Sequence, residues 1–494
     1  MKKYCRVAVV ILLSMLLLSS CIKKETPPEI FGLGDRYKTV GADNLYDLGI
    51  DKAIDGYFPS DVQIRGDYML LSLSRDEFES DEYYTDEKLA VFSIQEGRII
   101  YEKKMPYDVA VLTDKWKAVV ISDDMKKISV LNTALEPIWE KTIDGYYVGC
   151  DDHDSLWYKK GAEMIRVDLN DGSETKFDFP AGYDVYSYLG SDGAKEYIML
   201  CDNAGKMYLS CADTENGTYE VTSKMRDNVG WHDEYLIYGG VSEMLYSSPS
   251  EPDIMTVVPK EESGEYIWQM SDSFLVSGIF TRGPYEGGTF RDDIILRAYG
   301  SDGKMIDKLV SSVVPNSEGM RDYDCDESGR VVLSVETDGK TKMLIWDIGE
   351  KIGSKTQKNT VDLSDIGSVI ASEAEELNKK YGVEVIYGRD GMKSFPEGYT
   401  LTAGRENISL YDAITALRSA LAEYDKNYFK SLSGKGGAPV KIYLPFDIRN
   451  AEGKIVSSGA AVNNDGVHIA INGTTAIDIA DILTHELTAI KNGQ

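Results

Sequence analysis

Histidine is nearly absent from this chain. Four occur in 494 residues (His153, His232, His468 and His485), far apart in sequence, which rules out a histidine-rich metal protein. Cysteine is also scarce, with six residues and no C-x-x-C pair, so the usual zinc-site spacing is missing. Setting aside Cys5 and Cys21 near the N-terminus leaves Cys150, Cys201, Cys211 and Cys325, all in strand-like stretches. Cys201 and Cys211 are spaced either to face each other across a hairpin or to sit as buried free thiols. Positive charge is short as well: 53 basic against 82 acidic side chains give a formal net charge of −29. Such a surface repels phosphate backbones and excludes nucleic acid as a partner. No G-x-S-x-G occurs, and Gly434-Lys435-Gly436-Gly437 lacks P-loop spacing and reads as a flexible loop. The chain is rich in tyrosine (32) and 43% hydrophobic, enough to fill the cores of two or three domains.

The first 21 residues read as an export signal. Met1-Lys2-Lys3 is basic, and Val7 to Leu18 is an apolar run too short for a comfortable membrane span. It ends in Leu18-Ser19-Ser20-Cys21, which resembles the lipobox of bacterial lipoproteins. The resemblance implies cleavage before Cys21 and lipidation of its sulfur, with two or more acyl chains holding the protein stably to a membrane. The expected location is therefore extracytoplasmic and membrane-anchored. Residues 22–44, polar and containing Pro27-Pro28, read as the tether.

Beyond the tether one pattern repeats. Ala118 to Ser122 is an apolar strand, Asp123-Asp124-Met125 a turn, Lys127 to Leu131 a second strand, and Pro137 to Lys141 a third. Equivalent apolar runs recur at Met69–Ser72, Leu156–Tyr158, Ile198–Cys201, Leu236–Gly239, Phe274–Ser277 and Val331–Ser334, at a period of roughly 40. These runs are expected to be the innermost strands. Turn chemistry is explicit in Asn170-Asp171-Gly172, Ser301-Asp302-Gly303 and Thr337-Asp338-Gly339. Two insertions interrupt the period, acidic Arg75–Asp86 and Gly-rich Thr281–Arg291. A sheet of three or four strands cannot bury both faces alone, whereas stacking around an axis does so and leaves short edges. The pattern resembles a β-propeller over residues 45–349, of seven blades within a range of six to eight, without a WD-repeat or kelch signature. Closure would pair a strand near Asn44–Ile50 with the last blade near Met343–Trp346.

A linker is expected at 350–362, and beyond it the apolar period changes from 2 to 3.6. Ile366, Val369, Ile370, Ala374, Leu377 and Tyr381 form a helix face stopped by Gly382. Ser409-Leu410-Tyr411-Asp412 reads as a capping box for a second helix. Val383–Tyr387, Val440–Leu444 and Val467–Ile471 read as strands, and Thr475–Asp478 as the cap of a last helix. Residues 363–494 are thus a smaller α+β domain.

That last helix contains Thr484-His485-Glu486-Leu487-Thr488-Ala489. Here, and in the strand–loop–helix order before it, the chain resembles the zincin metallopeptidases, in which H-E-x-x-H places two imidazoles on one helix face around Zn²⁺. The resemblance implies His485 as a metal ligand and Glu486 as the catalytic base. It is incomplete, because position 489 is Ala489 and the chain ends at Gln494 before a third ligand appears. Zinc is expected only if the chain continues beyond Gln494, and the domain reads as degenerate or truncated. Weaker cation candidates are Asp151-Asp152-His153-Asp154, explained as an acidic inter-blade turn, and Asp322-Tyr323-Asp324-Cys325-Asp326, whose Ca²⁺-loop Gly and Glu are displaced. His232 and His468 read as packing or surface residues. The sequence thus points to a tethered lipoprotein whose propeller binds a protein, peptide or glycan. Its alternatives are an active zinc metallopeptidase and an envelope scaffold.

Overall fold

The computed structural model describes residues 33–492 apart from 51–53, 55, 80–81, 114, 151–154, 193, 226–228, 233–234, 241, 263, 272, 285–289, 311–312, 315–316, 338–339, 353–357, 434–436 and 473–478. The lipobox at Cys21 and the Asp151–Asp154 turn lie outside the described residues.

Seven antiparallel sheets follow one another along residues 58–347. The second sheet shows the unit: Val109–Leu112, Ala118–Ile121, Lys127–Leu131 and Pro137–Thr142, paired in that order. Each of the seven apolar runs falls in a different sheet, always as its second strand. The expectation that these runs are innermost needs correcting. First strands of neighbouring sheets meet each other: Ser317–Cys325 touches Phe58–Arg65, Phe58–Arg65 touches Val109–Leu112, and Tyr146–Cys150 touches Tyr183–Asp192. The first strands therefore surround the axis. A second strand has a hydrogen-bonded neighbour on both sides and a packed sheet against both faces, so it reads as an unbroken apolar run; a first strand does not.

Consecutive sheets share cores. Val119, Ile121, Ile128 and Val130 of the second sheet interdigitate with Leu156, Tyr158, Ile165 and Val167 of the third. Trp157 of the third meets Ile198 and Leu200 of the fourth. The seventh returns to the first, where Val332, Met343 and Ile345 pack on Ile64, Met69 and Leu71. Ala42–Asp47 pairs with Lys340–Asp347 and sets Leu45 opposite Trp346, so residues from both ends of the region share one sheet. Lys38–Val40 adds a further strand, which brings part of the expected tether into the sheet. The two insertions are absorbed as longer hairpins, Tyr68–Glu79 with Glu82–Ser93 and Phe274–Pro284 with Phe290–Gly300.

Part of the expected linker is structural: Thr360–Asp362 pairs with Ile254–Pro259 as a fifth strand of the fifth sheet. The α+β unit follows. Helix Ile366–Tyr381 is capped by the Asp365 carboxylate and ends at Gly382, whose φ of 71° suits a residue without Cβ. Helix Ile408–Ala422 is capped by Asn407, not by Ser409, because the Asn407 side chain accepts the Leu410 N–H at 3.1 Å. Strands Val383–Ile386, Val440–Tyr443 and Gly466–Ile471 run parallel, with Ser458–Asn463 antiparallel at the edge. Helix Ile479–Lys491 packs Ile479, Leu483 and Leu487 into the core beneath that sheet.

Candidate functional site

The His485–Glu486 pair follows strand Gly466–Ile471 on helix Ile479–Lys491. With 3.6 residues per turn, the buried positions 479, 483 and 487 leave position 485 on the outer face, and its side chain is 79% exposed. Glu486 turns inward, where its Oε1 accepts a hydrogen bond from Ser458 Oγ at 2.6 Å, tying the helix to the edge strand. The same oxygen lies 3.5 Å from His485 Nδ1. The two residues therefore converge. On this helix they supply one imidazole and one carboxylate, fewer than the three protein donors of a catalytic zinc, and one turn onward stands Ala489, with no donor atom. Among the described residues no group of three or more His, Cys, Asp or Glu side chains is arranged to hold a metal ion.

The other candidates resolve as structure. His468 is buried and lies stacked against Tyr443, with Nδ1 3.2 Å from the Tyr443 hydroxyl. Burial, helped by nearby Lys441, holds its pKa below the usual histidine range. Asp324 is a staple between sheets: it accepts from Ile64 N–H at 2.7 Å, Arg65 at 3.0 Å and the Gln269 amide at 2.7 Å. Asp326 is filled by Ser328 and the Gly66 and Arg330 N–H groups. Asp324 thus lies within strand Ser317–Cys325 and Asp326 just beyond it, and both carboxylates serve as hydrogen-bond acceptors of the blade seam. Cys201 sits opposite Met207 and Cys211 opposite Tyr197, so the two thiols do not face across their hairpin.

What sequence reasoning missed lies on the axis. First strands of five sheets carry a register shift, at Pro59/Asp61, Tyr147/Gly149, Val185/Ser187, Ile267/Gln269 and Met320/Asp322. A bulge leaves one residue unpaired and re-aims it; in the fourth sheet that residue is Tyr186. Tyr146, Tyr186 and Tyr266, on the first strands of the third, fourth and sixth sheets, are 68%, 51% and 39% exposed. Trp268, skipped by the bulge two residues after Tyr266, stacks on Tyr323 of the seventh sheet at 4.5 Å. Gly149 explains how the third and fourth sheets approach: a Cβ there would lie 2.4 Å from Tyr188 Cβ. Lys159, opposite Tyr146 in register, reaches Asp184 at 3.4 Å, so donors and acceptors flank the exposed rings. The sequence signal available was the position of these tyrosines before each apolar run.

Seven sheets arranged this way, with the chain's early and late strands in one sheet, define a β-propeller carrying an α+β unit. Among solved structures the chain is similar to the acylaminoacyl peptidase of Pyrococcus horikoshii (TM-score 0.36, 12% identity, covering 66% of this chain and 55% of that one). It is also similar to the β-propeller domain of the trilobed protease from Pyrococcus furiosus (TM-score 0.28, 13% identity, 63% and 96% covered). A chain of the mitotic checkpoint complex compares at TM-score 0.35 and 11% identity, with 62% and 93% covered. The chain thus spans about half the length of the first of these. No protein-family model matches the sequence, and no curated protein does.

Proposed function

We propose that this chain is an extracytoplasmic binding protein, held to a membrane through a lipid on Cys21, whose propeller takes a protein, peptide or glycan at its axial mouth. The observation that carries the reading is the set of exposed rings of Tyr146, Tyr186 and Tyr266 on axis-facing strands. Exposed aromatics with an apolar face and a polar tip are favoured where ligands dock, because they bury much area at small entropy cost. The acidic surface favours neutral or cationic ligands. The C-terminal unit is a zincin-like fold whose helix retains Glu486 and His485 but has lost the second imidazole. In this reading it contributes a scaffold and no hydrolysis.

The test is a peptide and glycan array probed with the signal-free chain and with the variant Tyr146→Ala/Tyr186→Ala/Tyr266→Ala. Loss of a reproducible hit with an unchanged melting curve is expected. Equal binding by both proteins rejects the axial mouth. Cys21→Ser, in cells labelled with palmitate, should lose the label and leave the membrane fraction.

A second reading, an active zinc peptidase, draws on the Ser458–Glu486 contact, which places a carboxylate beside the edge strand. Stoichiometric zinc and casein cleavage lost in Glu486→Gln would establish it.

A further inference from the structure

The fifth blade carries the C-terminal domain. Tyr238, Leu245, Met255 and Val257 of the blade share one buried cluster with residues such as Leu363 and Tyr411 of the α+β unit. A polar group is sealed inside this seam. Glu243, at the start of strand Glu243–Ser247, accepts from the Tyr411 hydroxyl at 3.2 Å and from Arg418. The second amino group of Arg418 reaches Glu373 on helix Ile366–Tyr381 at 2.8 Å. Ser242 donates to Thr415 at 3.2 Å. Asp412 presses on Gly240, where a Cβ would come within 2.4 Å of its Oδ1. Asp412 also acts on Lys260 and Tyr238 of the blade.

The seam therefore holds three carboxylates (Glu243, Glu373, Asp412) against two cations (Arg418, Lys260). Glu243 and Asp412 are both 6% exposed. One negative charge in excess inside a low-dielectric contact is costly unless a proton joins it. We propose that this cluster is a proton-operated latch, which tightens the C-terminal domain on the fifth blade as the medium acidifies.

The direction follows from linkage. Burial raises the Glu243 carboxyl above its ordinary range, although Arg418 opposes this. The docked state then binds a proton that the undocked state lacks, so docking strengthens as pH falls through the raised value and levels off near pH 4.5. Lys260 is pushed the other way, its pKa lowered by burial. Its share would weaken docking on acidification, so the sign of the response separates the two groups.

Hydrogen exchange of the full chain carrying His468→Phe, which removes the opposite acid response of that buried histidine in the same domain, corrected for intrinsic rates at each pH from 5 to 8.5, tests this. Peptides covering Ile254–Pro259, Thr360–Asp362 and Ile408–Ala422 should gain protection more than threefold on acidification, against a ceiling of about tenfold per pH unit for one proton. Peptides of the second blade should not change. Glu243→Gln, isosteric, with its amide oxygen accepting from Arg418 and its amide nitrogen donating to the Tyr411 hydroxyl oxygen, should abolish the slope while the second blade keeps its protection. A flat or opposite response in that background overturns the proposal, as does an unchanged slope once Glu243→Gln is added to it. If that variant does not fold, Glu373→Gln takes its place, with a reduced slope expected and an unchanged slope overturning it.

Discussion

Replacing Asp324 by alanine strikes the ring where three blades meet. Its two oxygens serve the Ile64 N–H and Arg65 of the first blade and the Gln269 amide of the sixth, while Asp324 itself belongs to the seventh. Removing the carboxylate leaves a buried N–H and a side-chain amide without this acceptor, at roughly 1–3 kcal/mol for each unsatisfied group. It also breaks an ion pair whose side chains are 20% and 10% exposed. Removing one partner of a fully buried pair costs about 3–5 kcal/mol. These terms overlap and the Arg65 end is partly wet, so about 3 kcal/mol is expected for Asp324→Ala. Asp324→Asn, which keeps one acceptor, should lose roughly half of that. The assay is urea unfolding followed by tryptophan fluorescence, with Asp184→Ala as the exposed control, expected to stay within about 0.5 kcal/mol of wild type. Calcium adds a second arm. A structural staple predicts no calcium-dependent shift of the wild-type midpoint. A loss below about 1 kcal/mol for Asp324→Ala, or calcium stabilisation that vanishes in this variant, refutes the reasoning.

Three further outcomes follow from the same geometry. Gly149→Ala drives a methyl to within 2.4 Å of Tyr188 Cβ and should destabilise the ring by about 1–3 kcal/mol in the same denaturation assay. His468 has a pKa held below the ordinary value of 6.5, so the unfolded chain takes up a proton that the folded one refuses, and stability falls as pH drops below about 6.5; His468→Phe should remove this acid sensitivity, read as the pH dependence of the melting temperature. Ala489→His puts a second imidazole one turn from exposed His485, and zinc titration should show affinity rising at least about tenfold over wild type, since two ligands then share one helix face.

How far the sequence carried the fold depends on where burial is symmetrical. Val119-Val120-Ile121 and its six counterparts are legible because a strand covered on both faces must be apolar at every position. The axis-facing strands were not: Tyr183–Asp192 mixes exposed, half-buried and buried residues, and its two register shifts break the alternation in the second half of the strand. Helix Ile366–Tyr381 was readable from its stripe and its terminal glycine. The start of Ile408–Ala422 was misread because Ser409 has the capping-box pattern, while Asn407 makes the capping bond. At the site, His485 and Glu486 were visible as a motif, and their contact with Ser458 was not, since it joins residues 28 apart. The latch was hidden for the same reason: Glu243 and Arg418 are 175 positions apart.

Strand Ala42–Asp47 pairs with strand Lys340–Asp347 and so brings both ends of the ring into one sheet. Tyr46 and Ile345 are direct cross-strand partners there. In a background with Cys150, Cys201, Cys211 and Cys325 replaced by alanine, Tyr46→Cys/Ile345→Cys should form a disulfide under mild oxidation, mapped by mass spectrometry, because opposed Cβ atoms on paired strands lie about 4.5–5.5 Å apart, a small shift from the roughly 3.5–4.5 Å of a disulfide. Absence of that crosslink, with Tyr46→Cys joining instead to a cysteine placed in any other blade, would contradict the ring.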